Sequence, residues 1–310
     1  MRRVIGIGET VLDIIFKGHE PVKAVPGGSA FNAIISLGRT GVPSAFISEA
    51  GNDRVGRWVC SFLEENGVDS SAVYVYPDSK SPISLAFLDD QNNAEYVFYK
   101  DHPKDRIDFV YPDIQPDDIV IFGSYFAINP VVRPQVVAFL EHAHNHGAIL
   151  YYDLNYRASH KNDLLRVTPA IIENLELSDI VRGSNEDFEI MYRKSSADAV
   201  YRSEISFYTH NFIYTQGANP VELRAEGGVS KQYAVSNDGP IVSTIGAGDN
   251  FNAGLVYGLI KYGITRADIK KGLSEQQWDQ IMGCAMAFSA NVCGSISNYV
   301  SNEFGQQMKL

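Results

Sequence analysis

Cysteine is scarce: Cys60, Cys284 and Cys293 are an odd, irregularly spaced three in 310 residues. That argues against a disulfide framework and a cysteine metal cage, and favours free thiols in a reducing compartment. No apolar run is long enough to cross a bilayer. The opening MRRVIGIGETVLDIIF has two arginines and apolar residues, yet Glu9 and Asp13 interrupt it and no small-residue cleavage site follows. Positive charge is also short, with 26 Lys and Arg against 37 Asp and Glu, a formal net charge of −11. This argues against a nucleic-acid or anionic-membrane partner, so any positive potential for a polyanionic substrate must be local. No P-loop GxxxxGK occurs, and Gly6-x-Gly8 fails as a dinucleotide fingerprint because Val11 stands at the third glycine's place. Internal repeats, low-complexity tracts and long linkers are absent too. A cytoplasmic protein is the expectation.

What is present suits a sizeable core: 45% hydrophobic and 20% charged residues over a length that one large α/β domain can fill. Strands are expected over 4–8 and 11–16, a helix over 28–40, a strand at SAFIS, and a helix from an Asn52 or Asp53 cap to Asn66-Gly67. Residues 72–99 then read as strand after strand, AVYVY, ISLAFL and AEYVFYK, separated by the turns PDSKSP and DDQNN. From Asp118 strands alternate with helices expected over 131–146, 169–177 and 186–192. Two further short strands and helices over 249–262 and 275–291 follow. Such alternation predicts a largely parallel sheet covered on both faces.

Two glycine-rich stretches carry the chemistry. In Gly246-Ala247-Gly248-Asp249, three consecutive amides at a helix start can face one anion, and the helix dipole favours it there. Asp249 beside them could take a proton from a hydroxyl attacking phosphorus, or could simply cap the helix. Near the N-terminus, Gly27-Gly28 permits a tight turn into a helix that presents Asn32, a donor and acceptor suited to sugar hydroxyls; a solvent-facing asparagine is the plainer alternative. Asp13 reads either as a hydroxyl acceptor or as a turn former. His142, His144 and His146 in EHAHNHG are expected to be surface histidines at a helix end, not metal ligands.

Together these stretches resemble the ribokinase-like (PfkB) family of carbohydrate kinases over almost the whole chain. GETVLDI resembles its opening strand, GGSAFNAIISLGRTG and GNDRVG its N-terminal signature, DLNYR its DxNxR segment, YTQGAN its TxGxxG segment, and STIGAGDNFNAGL its DTTGAGD signature. FGSYFA and YVFYK are similar to the fructokinase branch. The resemblance implies a doubly wound, largely parallel sheet flanked by helices, with a small β-sheet lid formed by about 14–26 and 74–101. It implies Asp249 as base, the Gly246, Ala247 and Gly248 amides as anion hole, and a sugar held by Asp13, Gly27, Gly28 and Asn32. Arg157 would contact sugar or phosphate, or form a structural ion pair. ATP would lie across Thr215, Gly217 and Asn291, and the lid would allow a homodimer.

Departures from the family pattern matter. Ser243 replaces the leading acid of DTTGAGD, and a neutral hydroxyl is a poorer ligand, which weakens the expectation of a monovalent cation; Ile245 replaces the second threonine. The Mg²⁺-organising NxxE falls on Ser184 and Asp187 in one register, and on Asn185 and Phe188 in the other. The first is preferred, because Asp187 can serve Mg²⁺ through water; Glu186 is the fallback. The implied reaction is phosphorylation of fructose, with 2-keto-3-deoxygluconate, ribose or a nucleoside as alternative acceptors, chosen by lid residues such as Lys100. A non-catalytic sugar-binding regulator is the rival of a different kind.

Overall fold

The computed structural model describes residues 2–88, 94–100, 110–235 and 239–310. Its strands are β1 Val4–Ile7, β2 Val11–Lys17, β3 Glu20–Gly27, β4 Ser44–Gly51, β5 Val68–Asp69, β6 Val73–Tyr76 and β7 Ile83–Leu88. They continue as β8 Ala94–Tyr99, β9 Ile119–Gly123, β10 Ile149–Asp153, β11 Ile180–Ser184, β12 Phe212–Gln216, β13 Asn219–Ala225 and β14 Val229–Tyr233. The main sheet runs β14-β13-β12-β11-β10-β9-β1-β4-β5, with β6 also paired to β4. All its pairings are parallel except β12–β13 and β13–β14.

Side chains of the central strands alternate between two apolar layers, as the two-residue period of a sheet requires. Val4, Phe46, Ile119, Ile121, Ile149 and Tyr151 pack on one face, with Phe31, Leu255, Trp278 and Phe288 from covering helices. Ile5, Ile47, Val120, Phe122, Leu150 and Tyr152 pack on the other, with Phe139, Ile171 and Phe188. The expected mixed α/β architecture is therefore observed. No helix among the described residues is long and apolar enough to cross a membrane.

A second sheet, ordered β3-β2-β7-β8, stands apart from the first. Its membership corrects the expected boundaries. β2 enters it from Val11, whereas Val73–Tyr76, expected in the lid, pairs in parallel with Ser48–Gly51 of β4. An aromatic alternating run fits any half-buried strand, so its pattern does not say which sheet it joins. The expected DDQNN turn and the lid's last residue, 101, lie outside the described residues.

Helix ends also shift. The helix expected from Pro169 begins at Leu164, because the carbonyl that the missing proline N–H leaves unbonded belongs to Leu165, a residue 90% exposed to water. The helix expected over 131–146 is Arg133–Asn145, preceded by a short Ser124–Ile128 turn of helix.

Candidate active site

The order of the main sheet reverses at β1: the chain proceeds to β4 and β5 on one side, then returns to β9, β10 and β11 on the other. Beyond the carboxyl ends of strands at such a switch point a crevice opens, because successive loops part to opposite faces. Here a cavity of about 380 Å³ lies there, lined by Glu9 after β1, Ser124 after β9, Asn155 after β10 and Ser184 at the end of β11. The small sheet faces the same cavity through Asp13, Tyr96, Phe98 and Lys100.

Two glycines set the helix starts that enter it. Gly28 has φ 130°, and a Cβ there would meet the Glu9 carbonyl at 2.2 Å, so the helix Ser29–Arg39 can begin only from a glycine. Gly246, with φ 75°, is the residue preceding the helix Ala247–Lys261, and a Cβ on it would lie 2.6 Å from the Asn298 carbonyl. Of the three amides expected in the anion hole, Gly246 belongs to a cavity-lining residue, while the Ala247 N–H donates to the Thr244 carbonyl at 3.2 Å. Gly248 lies behind them, its Cα side 3.0 Å from the Arg182 guanidinium as a Cβ would measure it.

Asp249 does not cap its helix. It sits in the first turn and reaches across to the other helix, where Ser29 Oγ donates to Oδ1 at 2.7 Å and Asn32 Nδ2 to Oδ2 at 2.8 Å. Burial raises its pKa against those two donors; Asp153 raises it further and Arg157 opposes. A carboxylate made more basic while it stays in a cavity is suited to accept a hydroxyl proton.

Asp13 is buried on β2. Ser84 Oγ donates to its Oδ1 at 2.6 Å and Asn298 Nδ2 to its Oδ2 at 2.9 Å. Gly27 lies flat against it, for a Cβ there would come 2.2 Å from Oδ2. Burial pushes the Asp13 carboxyl up to about 6, with the Ser84 and Asn298 donors pulling it down. Arg157 is exposed at the rim, 6.0 Å from the Tyr96 ring, and forms no ion pair among the described residues. Lys100 instead pairs with Glu9 at 2.7 Å, joining the small sheet to the body.

The remaining expected residues divide. Asp187 lines the cavity, and Phe188 is fully buried, as the preferred register requires. Its oxygens are engaged, however: Oδ2 accepts from Ser184 N and Oγ at 2.6 and 2.8 Å, and Oδ1 accepts from Tyr156 N at 2.7 Å. No cluster of three acidic, histidine or cysteine groups fit for a metal occurs among the described residues. Asp187 with neighbouring Glu186 thus fits a divalent ion that keeps most of its water, rather than a directly ligated one. Thr215, Gly217 and Asn291 lie outside this cavity: Thr215 Oγ1 accepts from Arg182 at 2.6 Å, Gly217 turns at φ 60°, and Asn291 Oδ1 accepts from Ser301 N at 2.9 Å. Buried Ser243 accepts from Ile245 N at 3.1 Å, closing the turn before Gly246. The exposed His142 and His146 rings lie tilted against each other, 4.1 Å between centroids.

Sequence reasoning missed a buried ionic network beneath the helix start. Arg182 donates to Asp153 Oδ1 at 2.9 Å, and Asn252 Nδ2 donates to Asp153 Oδ2 at 2.8 Å. Burial works against the Arg182 charge, yet Asp153 and Asp187 raise its pKa, so it stays a cation directly under Gly248. The signal available was Asp153 itself, the one acid of DLNYR, whose partner 29 positions later carries no motif of its own. Asn298, in a segment without regular structure, was missed likewise.

Residues 1–301 match the pfkB family carbohydrate kinase pattern. The chain belongs to that family. This pfkB kinase is 29% identical over 257 residues to a 5-dehydro-2-deoxygluconokinase of Geobacillus kaustophilus, covering 76% of this chain and 72% of the relative. A probable chloroplastic fructokinase-6 of Arabidopsis thaliana is 23% identical, covering 95% and 77%. The fold of the pfkB kinase matches aminoimidazole riboside kinase from Salmonella enterica, in complex with aminoimidazole riboside and an ATP analogue, at TM-score 0.83 and 20% identity, covering 99% and 98%. It also matches a double mutant of fructokinase from Vibrio cholerae, in its fructose-, ADP- and potassium-bound form, at TM-score 0.80 and 21% identity, covering 96% and 94%. This chain is accordingly a carbohydrate kinase.

Proposed function

We propose that this kinase transfers the γ-phosphoryl group of ATP to a primary hydroxyl of a free hexose, with D-fructose as the first candidate and fructose 6-phosphate as product. One observation carries the reading: a basic carboxylate, Asp249, stands in one cavity with a buried hydroxyl-accepting acid, Asp13, at a glycine-built helix start. Asp249 takes the acceptor's proton as its oxygen bonds to phosphorus and the bond to the β-phosphate oxygen breaks, releasing ADP. The Gly246 turn, the helix dipole and the Arg182 cation beneath supply the positive potential that an acidic protein must concentrate locally. Mg²⁺, when bound, neutralises phosphate charge; Glu186 and Asp187 would hold it through water.

A second acceptor class is favoured by Arg157. A rim cation in no ion pair among the described residues suits a carboxylate-bearing sugar, and the Geobacillus relative bears the name of such a kinase. ADP release measured over D-fructose, 5-dehydro-2-deoxygluconate, 2-keto-3-deoxygluconate, ribose and adenosine separates the classes. Preference for either sugar acid, lost on Arg157→Met, would replace fructose in this reading. No turnover with any acceptor would leave only the sugar-binding regulator. A homodimer through the small sheet belongs to the same reading, since its edge strands β3 and β8 carry exposed Val22, Val97 and Tyr99; sedimentation of a monomer at micromolar concentration would remove it.

A further inference from the structure

We propose that Asn298 is a positioning residue that ties the acceptor-binding acid Asp13 to the phosphate turn at Gly246, coupling the two substrate sites. The inference rests on the kinase reading and deepens it. Asp13 belongs to the small sheet, and Gly246 to the body, 233 positions along the chain. Asn298 touches both. Its Nδ2 donates to Asp13 Oδ2 at 2.9 Å. Its main-chain carbonyl accepts from Asn250 Nδ2 at 2.8 Å, and the Gly246 turn leans on that same carbonyl so closely that no side chain fits between them.

The orientation of the amide is fixed by chemistry, because only the NH₂ end can face an ionised carboxylate. Oδ1 is then buried with no hydrogen-bond partner among the described residues. An orphaned buried oxygen is destabilising, so stability alone does not account for an asparagine here. Residues on either side extend the tie. Val300 N donates to Ser36 Oγ at 3.1 Å on the helix that carries Asn32. Lys23 Nζ, on β3 of the small sheet, donates to Ser297 Oγ at 3.0 Å. A displacement of the small sheet therefore pulls on residues 297–298 and, through them, on the phosphate turn.

The side-chain bond also favours the ionised form of Asp13, alongside the Ser84 donor and against burial. The groups facing that carboxyl are Asp249 from the body helix, Arg157 from the loop after β10, Tyr96 from β8 and Tyr299 from the C-terminal segment, with Ser84 on β7 as the other donor. A donor to the ionised form lowers a carboxyl pKa, so removing Asn298 must raise it.

The test uses the full chain, with Asn298→Ala, Asn298→Ser and, as a control on the other donor, Ser84→Ala. Each variant is first checked for wild-type circular dichroism. Three readouts are expected for Asn298→Ala: an acceptor KM for D-fructose raised about ten-fold with a smaller change in kcat, a ¹³C-carboxyl titration of Asp13 moved to higher pH, and loss of the tightening of AMP-PNP binding by saturating D-fructose. Asn298→Ser, which keeps a donor, recovers part of each. Ser84→Ala moves the titration but keeps the tightening, since Ser84 does not touch the phosphate turn. Folded Asn298 variants with the wild-type Asp13 titration and wild-type tightening would overturn the inference. Should wild-type protein phosphorylate no acceptor, the kinase reading fails on that result alone, and the Asp13 titration still decides whether Asn298 holds the acid.

Discussion

Asn32 Nδ2 lies 2.8 Å from Asp249 Oδ2, although 217 positions separate them in the chain. The contact joins the first turns of two helices, each begun by a glycine that no other residue can replace without strain or collision. Acid and amide are thereby held in one cavity without competing for the same helix cap.

Replacing that acid tests its role as base. Asp249→Asn keeps the shape and an oxygen for one of the two donors but cannot take a proton. The expected result is a fall in kcat of about 10²–10⁴-fold with acceptor KM changed only a few-fold, measured by coupled ADP release. An unchanged kcat sinks the assignment.

Asp13 is expected to set the acid side of the pH profile. With its carboxyl pushed up to about 6, it is ionised at pH 7 and gains a proton as pH falls through that value. Acceptor binding that uses the carboxylate should therefore weaken below about pH 6, giving kcat/KM an acid limb there. Asp13→Asn should abolish that limb and raise acceptor KM throughout. Retention of the same limb in the variant would assign it to another group.

Gly246→Ala adds a methyl at φ 75° against the Asn298 carbonyl. The left-handed conformation alone costs about 1–2 kcal/mol, and the collision adds to it. A lowered thermal midpoint together with a raised ATP KM is expected. A variant as stable and as active as wild type would show that the turn opens freely.

Arg182→Met leaves Asp153 buried without its cation. Removing one partner of a buried pair typically costs about 3–5 kcal/mol, readable as a shift of the urea midpoint. Arg182→Lys should keep part of the stability. It should still lower kcat, because it cannot serve Asp153 and Thr215 with the same forked geometry. Equal kcat in the lysine variant and wild type would confine Arg182 to stability.

Much of this site was legible because its chemistry coincides with local backbone demands. Gly28 and Gly246 announce themselves, since a positive φ or a close approach leaves few other residues available. Asn32 and Asp249 stand a few positions beyond those glycines, and the role expected of Asp13 came from the family resemblance. Asn298 and Arg182 were not legible, because their partners lie 285 and 29 positions away and neither belongs to a motif, although Arg182 stands on the expected strand β11. Alternation identified Val73–Tyr76 as a strand, yet whether it paired with β4 or the small sheet depended on a tertiary choice. Thr215, Gly217 and Asn291, expected for the nucleotide, came from resemblance, and the cavity that gathers Asp13, Asn32 and Asp249 leaves them outside.

The chain passes from β1 of the body to β2 of the small sheet within residues 8–10, and so mounts its two working acids on different platforms. On the proposed reading, Asp13 would travel with the cover while Asp249 stayed with the base. The gap between them would then act as a caliper, whose jaws meet at the right span only around a guest of suitable length. Selection among acceptors would become a matter of measurement as well as of chemistry, and an oversized guest would hold the jaws apart before any phosphate could move.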